Sequence, residues 1–255
     1  MRALLRALRL CVHLGYGLTL SVGVALDRGG RLDPPDLGRR WHRRLLQILN
    51  VQVEVVGTPL TGGHLSVANH ISWLDIPVLA AQAPTRFIAK SEIRRWPIAG
   101  QLATACGTLF LRRGTHGSKP LLERLLPLLH EGASITLFPE GTTTDGRSLR
   151  TFHGRLLSAA IDSEVAMQPV AIRYVRDGEP CTLAPFIGDD DLLSHLMRLF
   201  ANDRGGVEIH LLKPIECMGR ERAALAFEAQ QAVQKVLFGA VVEPQRAPVR
   251  PAIAA

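Results

Sequence analysis

The hydrophobic pattern opens with an uncharged run, LCVHLGYGLTLSVGVAL from Leu10 to Leu26, preceded by Arg2, Arg6 and Arg9 spaced along the same helix. Its length lies near the lower limit for a membrane-spanning helix. Two other readings compete: a signal peptide, since Gly23 and Ala25 are small residues placed as a cleavage site needs, and a buried or re-entrant helix. The next stretch, Pro34 to Asn50, sets Trp41, Leu45, Leu46, Ile48 and Leu49 among Arg39, Arg40, Arg43 and Arg44. That is the pattern of a helix lying at a membrane surface, and an ordinary helix packed on a domain shows it too. Residues 1–50 are therefore expected to form a membrane anchor followed by an interfacial helix.

From residue 51 the period changes. Val51 to Val56 alternates apolar and polar positions, and short extended runs follow at Leu65–Ala68, Arg86–Ala89, Thr108–Leu111, Ile135–Phe138, Ala166–Val175 and Val207–Leu212. Helical segments fit at Lys119–His130, with Ser118 as cap and Pro120 in the first turn, at Phe152–Ile161 and at Glu221–Phe238. Strands alternating with helices predict one α/β domain over residues 51–239. Residues 240–255, rich in proline, alanine and arginine, have no core-forming composition and are expected to be a disordered tail.

Composition narrows the partners. Apolar residues make up 47% of the 255-residue chain and the net charge is +7, which excludes wholesale disorder and allows nucleic acid, an anionic membrane or a phosphorylated substrate as partner. The arginines interleave with apolar helix faces and only two tyrosines occur, so lipid headgroups fit and nucleic acid does not. Cys11, Cys106, Cys181 and Cys217 are scattered without metal-ligand spacing, so no metal site is expected and a reducing compartment fits.

Candidate chemistry begins at Asn69-His70-Ile71-Ser72-Trp73-Leu74-Asp75, directly after the strand at Leu65–Ala68. Residues five apart on a continuous helix point about 140° apart, so His70 and Asp75 meet only if a turn separates them. Ser72 and Asp75 have capping-box spacing, which would start a helix at Ser72 and leave His70 on the turn. Asp75 accepting the Nδ1 proton of His70 would keep Nε2 free to deprotonate a hydroxyl. The bland alternative is a helix-capping aspartate beside a loop histidine. Three weaker signals follow. GTLFLRRG ends a strand on Arg112 and Arg113, which suits a phosphate clamp or merely a soluble edge. Phe138-Pro139-Glu140-Gly141-Thr142 is a tight turn after an apolar strand, where Gly141 lets backbone approach a ligand and amides could hold an oxyanion. Gln168-Pro169-Val170 interrupts a strand with proline.

Taken in order, NHISWLD, GTLFLRRG, FPEGT and the proline-containing strand resemble the four motifs of the glycerolipid acyltransferase family typified by 1-acylglycerol-3-phosphate acyltransferase, over roughly Val51 to Ile215. The resemblance implies a mixed sheet flanked by helices behind the N-terminal two-helix segment. It also implies an acyltransferase in which His70 is the base, Asp75 orients it, and no acyl-enzyme, metal or cofactor is used. Arg113 then matches the arginine that holds the acceptor phosphate, Glu140, Gly141 and Thr142 the block that helps bind the acceptor, and Lys90 a recurrent lysine. The co-substrate is acyl-CoA or acyl-ACP, with acyl carrier protein as a possible partner, and the acceptor is a lysolipid, with 1-acylglycerol-3-phosphate placed first. One departure stands out: FPEGT continues with Thr143 and Thr144, where phosphatidate-forming relatives carry an arginine. Bacterial acyltransferases of lyso-ornithine lipid look similar here and give the alternative acceptor. A thioesterase and a non-catalytic lipid-binding protein are the rival functions. The six arginines after the apolar run (Arg28, Arg31, Arg39, Arg40, Arg43, Arg44), against three before it, place the catalytic domain on the cytoplasmic face of the inner membrane.

Overall fold

The computed structural model describes residues 2–111, 119–202 and 205–239. Its centre is an eight-stranded sheet: β1 (Val51–Val56), β2 (His64–Ala68), β3 (Arg86–Lys90), β4 (Leu109–Leu111), β5 (Ser134–Leu137), β6 (Met167–Arg176), β7 (Glu179–Pro180) and β8 (Gly205–Leu211). The spatial order is β1-β8-β6-β2-β5-β3-β4, with the short β7 added to β6. β6, β2, β5, β3 and β4 run parallel, β8 returns antiparallel to β6, and β1 pairs parallel with β8. The sheet is therefore mixed, as the family resemblance implies.

Helices cover both faces. α3 (Asp75–Ala80) and α7 (Leu192–Ala201) lie on the side whose core includes Leu74, Val78, Ile172 and Tyr174, and α5 (Lys119–His130), α6 (Ser158–Asp162) and α8 (Arg222–Phe238) cover the other, around Leu125, Ile135, Leu157 and Leu225. α4 (Ala99–Ala105) follows a 3-10 turn at Ser91–Arg95. α4 and α7 are absent from the hydrophobic pattern. α4 is a short alanine-rich segment of seven residues between Pro97 and Gly107, and α7, although amphipathic, is only ten residues long and interrupts its apolar positions with His195 and Arg198. The helix expected from Phe152 begins later, as a 3-10 turn at Gly154–Leu157 that continues into α6. Ser118 and the expected tail, residues 240–255, lie outside the described residues.

The N-terminal pair is α1 (Arg2–Leu26) and α2 (Pro34–Leu49). Asp33 caps α2 by accepting the N–H of Asp36, prolines occupy its first turn, and Asn50 closes it in the left-handed conformation. The two helices lock at one crossing. The indole N–H of Trp41 donates to the His13 carbonyl at 3.2 Å, His13 Nε2 donates to the Trp41 carbonyl at 3.0 Å, and the rings stack. Gly17 makes room: a Cβ there would lie 2.5 Å from the indole nitrogen. Trp41, Leu45, Leu46, Ile48 and Leu49 are all buried. The apolar face of α2, which the sequence places at a membrane surface, is thus taken up by packing on α1 and α3. The exposed apolar face belongs to α1, where Leu4, Leu5, Leu8, Val12, Tyr16, Val22 and Leu26 face outward. Among the described residues α1 is the one helix long and apolar enough to cross a membrane.

Candidate active site

Because β2, β5 and β3 are parallel neighbours, their carboxyl ends open on one edge, where α/β folds bind ligands. This brings together Asn69 and His70 after β2, the 138–144 turn after β5, and Lys90 at the end of β3. Asn69 anchors the first of these. Its amide donates to the Ile172 carbonyl at 3.0 Å and its carbonyl oxygen accepts the Ile172 N–H at 2.7 Å, which pins the end of β2 to β6.

The chain then turns. α3 starts at Asp75, later than the start at Ser72 that capping-box spacing predicts. Only the carboxylate half of that box forms: Asp75 Oδ2 accepts the N–H groups of Ile71 at 2.8 Å and Ser72 at 3.0 Å, while the buried Ser72 hydroxyl has no partner. The same Oδ2 accepts His70 Nδ1–H at 2.7 Å. Asp75 is fully buried and His70 retains some exposure. The aspartate thus organises the turn that brings the histidine to it. The imidazole stacks on the Phe138 ring at 4.0 Å between centroids, and among the described residues no group bonds Nε2. With Nδ1 carrying the proton, Nε2 is the basic nitrogen.

Glu140 faces inward. Its carboxylate accepts the His70 N–H at 2.7 Å and the Arg150 N–H at 2.8 Å, and only 4% of the residue is exposed. Burial pushes its carboxyl above the usual range, against the two amides that draw it down. Through these two bonds Glu140 braces the loop after β2 against the loop after β5. Thr144 completes the brace, its N–H and hydroxyl both donating to the His70 carbonyl at 2.8 and 3.2 Å. Gly141 adopts φ +69°, and its N–H closes the turn on the Phe138 carbonyl at 3.1 Å, so that amide is not free for an oxyanion. Arg113 lies outside the described residues.

An apolar groove of about 1570 Å³ runs past this edge. His70, Trp73, Lys90, Phe138, Gly141 and Thr142 line it, together with Leu10, Leu14 and Gly17 of α1 and Leu102 of α4. Asp75 and Glu140 stand behind the lining. Trp73, set between His70 and Asp75, is fixed from below: its indole N–H donates to His195 Nδ1 at 3.0 Å, and His195 Nε2 donates to the Ala184 carbonyl at 3.1 Å. Both imidazole nitrogens of His195 are committed to the neutral ring, and burial lowers its pKa below 6.5, with Arg198 acting the same way.

Sequence reasoning missed Tyr174. Its hydroxyl, on β6, donates to Asp75 Oδ1 at 2.7 Å. The available signal was a tyrosine following the apolar run Val170–Ile172 in a strand, whose hydroxyl needs a partner once buried. Among the described residues no group of three His, Cys, Asp or Glu side chains gathers as a metal site.

Comparison with known proteins bears on the family and the fold. The Acyltransferase family model matches residues 50–173. The lyso-ornithine lipid O-acyltransferase of Pseudomonas aeruginosa is 50% identical over 250 residues, 96% of this chain and 97% of that protein. The 1-acyl-sn-glycerol-3-phosphate acyltransferase of Neisseria meningitidis serogroup B is 30% identical over 200 residues, 76% of this chain and 78% of that one. The crystal structure of the 1-acyl-sn-glycerophosphate acyltransferase of Thermotoga maritima superposes with a TM-score of 0.67, covering 92% of this chain and 93% of that chain at 21% identity, a likeness of fold. Identity at that level, sustained along nearly the whole chain of the Pseudomonas enzyme and carried through the segment that holds His70 and Asp75, means that the chain belongs to the acyltransferase family.

Proposed function

We propose that this acyltransferase moves a fatty acyl group from an acyl-CoA or acyl-ACP thioester to the hydroxyl of a lysolipid, with lyso-ornithine lipid as the preferred acceptor. The observation that carries the reaction is a histidine with a free Nε2, backed by a buried aspartate, at the wall of a long apolar groove. The groove suits an acyl chain, which gains about 0.8 kcal/mol for each methylene removed from water. Nε2 of His70 takes the proton of the acceptor hydroxyl as its oxygen attacks the thioester carbon. As the carbon–sulfur bond breaks, the imidazolium gives that proton to the departing thiolate, so the products are an ester and a free thiol and His70 is again neutral.

Two observations support the acceptor. The 50% identical relative is named for lyso-ornithine lipid, and Thr143 occupies the position where a phosphate-directed arginine would stand, with its hydroxyl donating to the Phe186 carbonyl. A second reading, with 1-acylglycerol-3-phosphate as acceptor, has the Neisseria relative behind it. Purified protein in detergent, given a labelled acyl thioester and each lysolipid in turn, separates them. Acyl transfer to lyso-ornithine lipid alone is the expected result, transfer to 1-acylglycerol-3-phosphate alone reverses the assignment, and thioester hydrolysis independent of either acceptor makes the protein a thioesterase. The exposed face of α1 and the lipid-acylating relatives together point to membrane association. The arginine bias after α1 and the cytoplasmic origin of thioester donors support the cytoplasmic face of the inner membrane.

A further inference from the structure

Asp75 accepts four hydrogen bonds in a site with no exposure to water. Oδ2 takes the Ile71 and Ser72 amides and His70 Nδ1–H, and Oδ1 takes one donor alone, the Tyr174 hydroxyl at 2.7 Å. The donors differ in what they can fix. The two amides belong to the turn that Asp75 closes, so they move with it. Tyr174 stands on β6, ninety-nine residues away and pinned to the end of β2 by the Asn69–Ile172 pair. Tyr174 is buried among the core side chains that also hold Leu74, Val78 and Ile172. Its phenol is therefore a rigid post outside the turn. It sets the rotation of the carboxylate plane and so the aim of Oδ2 at the imidazole.

We infer that Tyr174 is a positioning residue for acyl transfer, which acts through Asp75 to hold His70 in the basic tautomer and limits how strongly the carboxylate attracts the imidazolium. The inference rests on the reading of His70 as base. Burial, and then the charge and hydrogen bond of Asp75, push the Tyr174 phenol well above its ordinary value, so it keeps its proton and stays a donor throughout the working range. Its positive O–H end points at the carboxylate and opposes a cation on His70. Removing the hydroxyl leaves Oδ1 buried without a partner, frees the carboxylate to rotate, and strengthens its pull on a proton shared with the imidazole. The titratable groups that face this cluster are His70 from the turn after β2, Glu140 from the turn after β5 and Cys181 from the segment after β7. Tyr174→Phe changes none of them.

The test is a pH–rate profile on purified full-length protein with saturating thioester and lysolipid, for wild type, Tyr174→Phe, Asp75→Asn and the double variant, with thermal unfolding as a check that each is folded. Tyr174→Phe is expected to lower kcat about tenfold with little change in either Michaelis constant, and to move the acid limb of the profile upward by about half a pH unit. In the Asp75→Asn background the same change should cost much less than it does alone, because the two groups act as one unit. An unmoved acid limb, or losses that multiply in the double variant, overturns the inference and leaves Tyr174 as a core residue. His70→Ala runs beside them: if it retains wild-type turnover, the base assignment itself fails, and that outcome is distinct from a silent Tyr174→Phe beside an inactive His70→Ala.

Discussion

At the scale of single residues the site divides into groups that face the groove and groups that hold those groups. His70 faces it, and His70→Ala is expected to lower acyl transfer by about 10²–10⁴-fold while the protein stays folded, since the ring stands at the groove wall against Phe138 and its loss leaves Asp75 three other donors. Steady-state rates beside an unchanged unfolding temperature check this. Asp75→Asn should cost both activity and stability, because an amide nitrogen must replace one carboxylate oxygen among four donors in a sealed site, a loss of about 1–3 kcal/mol for the group left unpaired. His195 makes a pH prediction. Its folded pKa lies below the unfolded 6.5, so the unfolded chain binds the extra proton. The stability this contributes is complete above about pH 6.5 and is lost as pH falls from there through the folded value. Protonation also sets an N–H against the Trp73 indole N–H. Denaturant midpoints across that window should fall with acid in the wild type and fall less in His195→Gln. A flat wild-type profile would show that the His195 ring is not held neutral.

At the scale of elements, the sequence makes the parallel strands and α5 legible because their periods are clean, and α5 spans Lys119–His130 as the pattern predicts. The pairing of His70 with Asp75 was legible as a requirement for a turn, but the means only in part: the aspartate closes the turn by accepting two backbone amides, of which capping-box spacing reports that of Ser72 and not that of Ile71. Glu140 was legible as part of a motif and not as a brace, because its partners are the amides of His70 and Arg150, distant or in a loop. Trp41 illustrates the limit of amphipathic patterns. A tryptophan among arginines reads as interfacial until a glycine on another helix, Gly17, is seen to receive it. That crossing can be tested. Gly17→Leu drives a side chain into the Trp41 ring, which two hydrogen bonds hold in place, and is expected to cost about 1–3 kcal/mol and to part α1 from α2. Proteolysis in the connection between the two helices should accelerate, and turnover should drop as the groove loses a wall; unchanged cleavage would mean that the crossing tolerates a wider spacing.

At the scale of the molecule, α1 joins the membrane question to the catalytic one. The helix packs on α2, α4 and α7, burying Leu10, His13 and Gly17 and reaching the end of α7 through Arg6, and lines the groove that reaches His70, yet leaves most of its apolar surface outside. At 1.5 Å per residue its 25 residues extend about 37 Å, long enough to match a bilayer core. α1 thus turns one side to the groove and leaves another exposed. Were α2 an interfacial helix in its own right, removing residues 1–30 would weaken membrane association and leave residual binding through α2. In the folded protein the apolar face of α2 is already buried, and removing α1 would uncover Trp41. Truncation therefore confounds binding with unfolding, and substitution on the outer face separates them. Leu5, Leu8 and Val12 lie on one side of α1 and are exposed. Replacing all three with lysine should leave the unfolding temperature and turnover on detergent-dispersed lysolipid near wild type. Membrane retention should drop sharply, since each lysine near the bilayer centre opposes insertion by about 2.5–3.5 kcal/mol. Flotation with liposomes at high salt, where arginine contacts to headgroups are screened, reads the apolar contribution alone. Retention equal to wild type under those conditions would remove the outer face of α1 as the membrane contact and return that role to the arginines of α2.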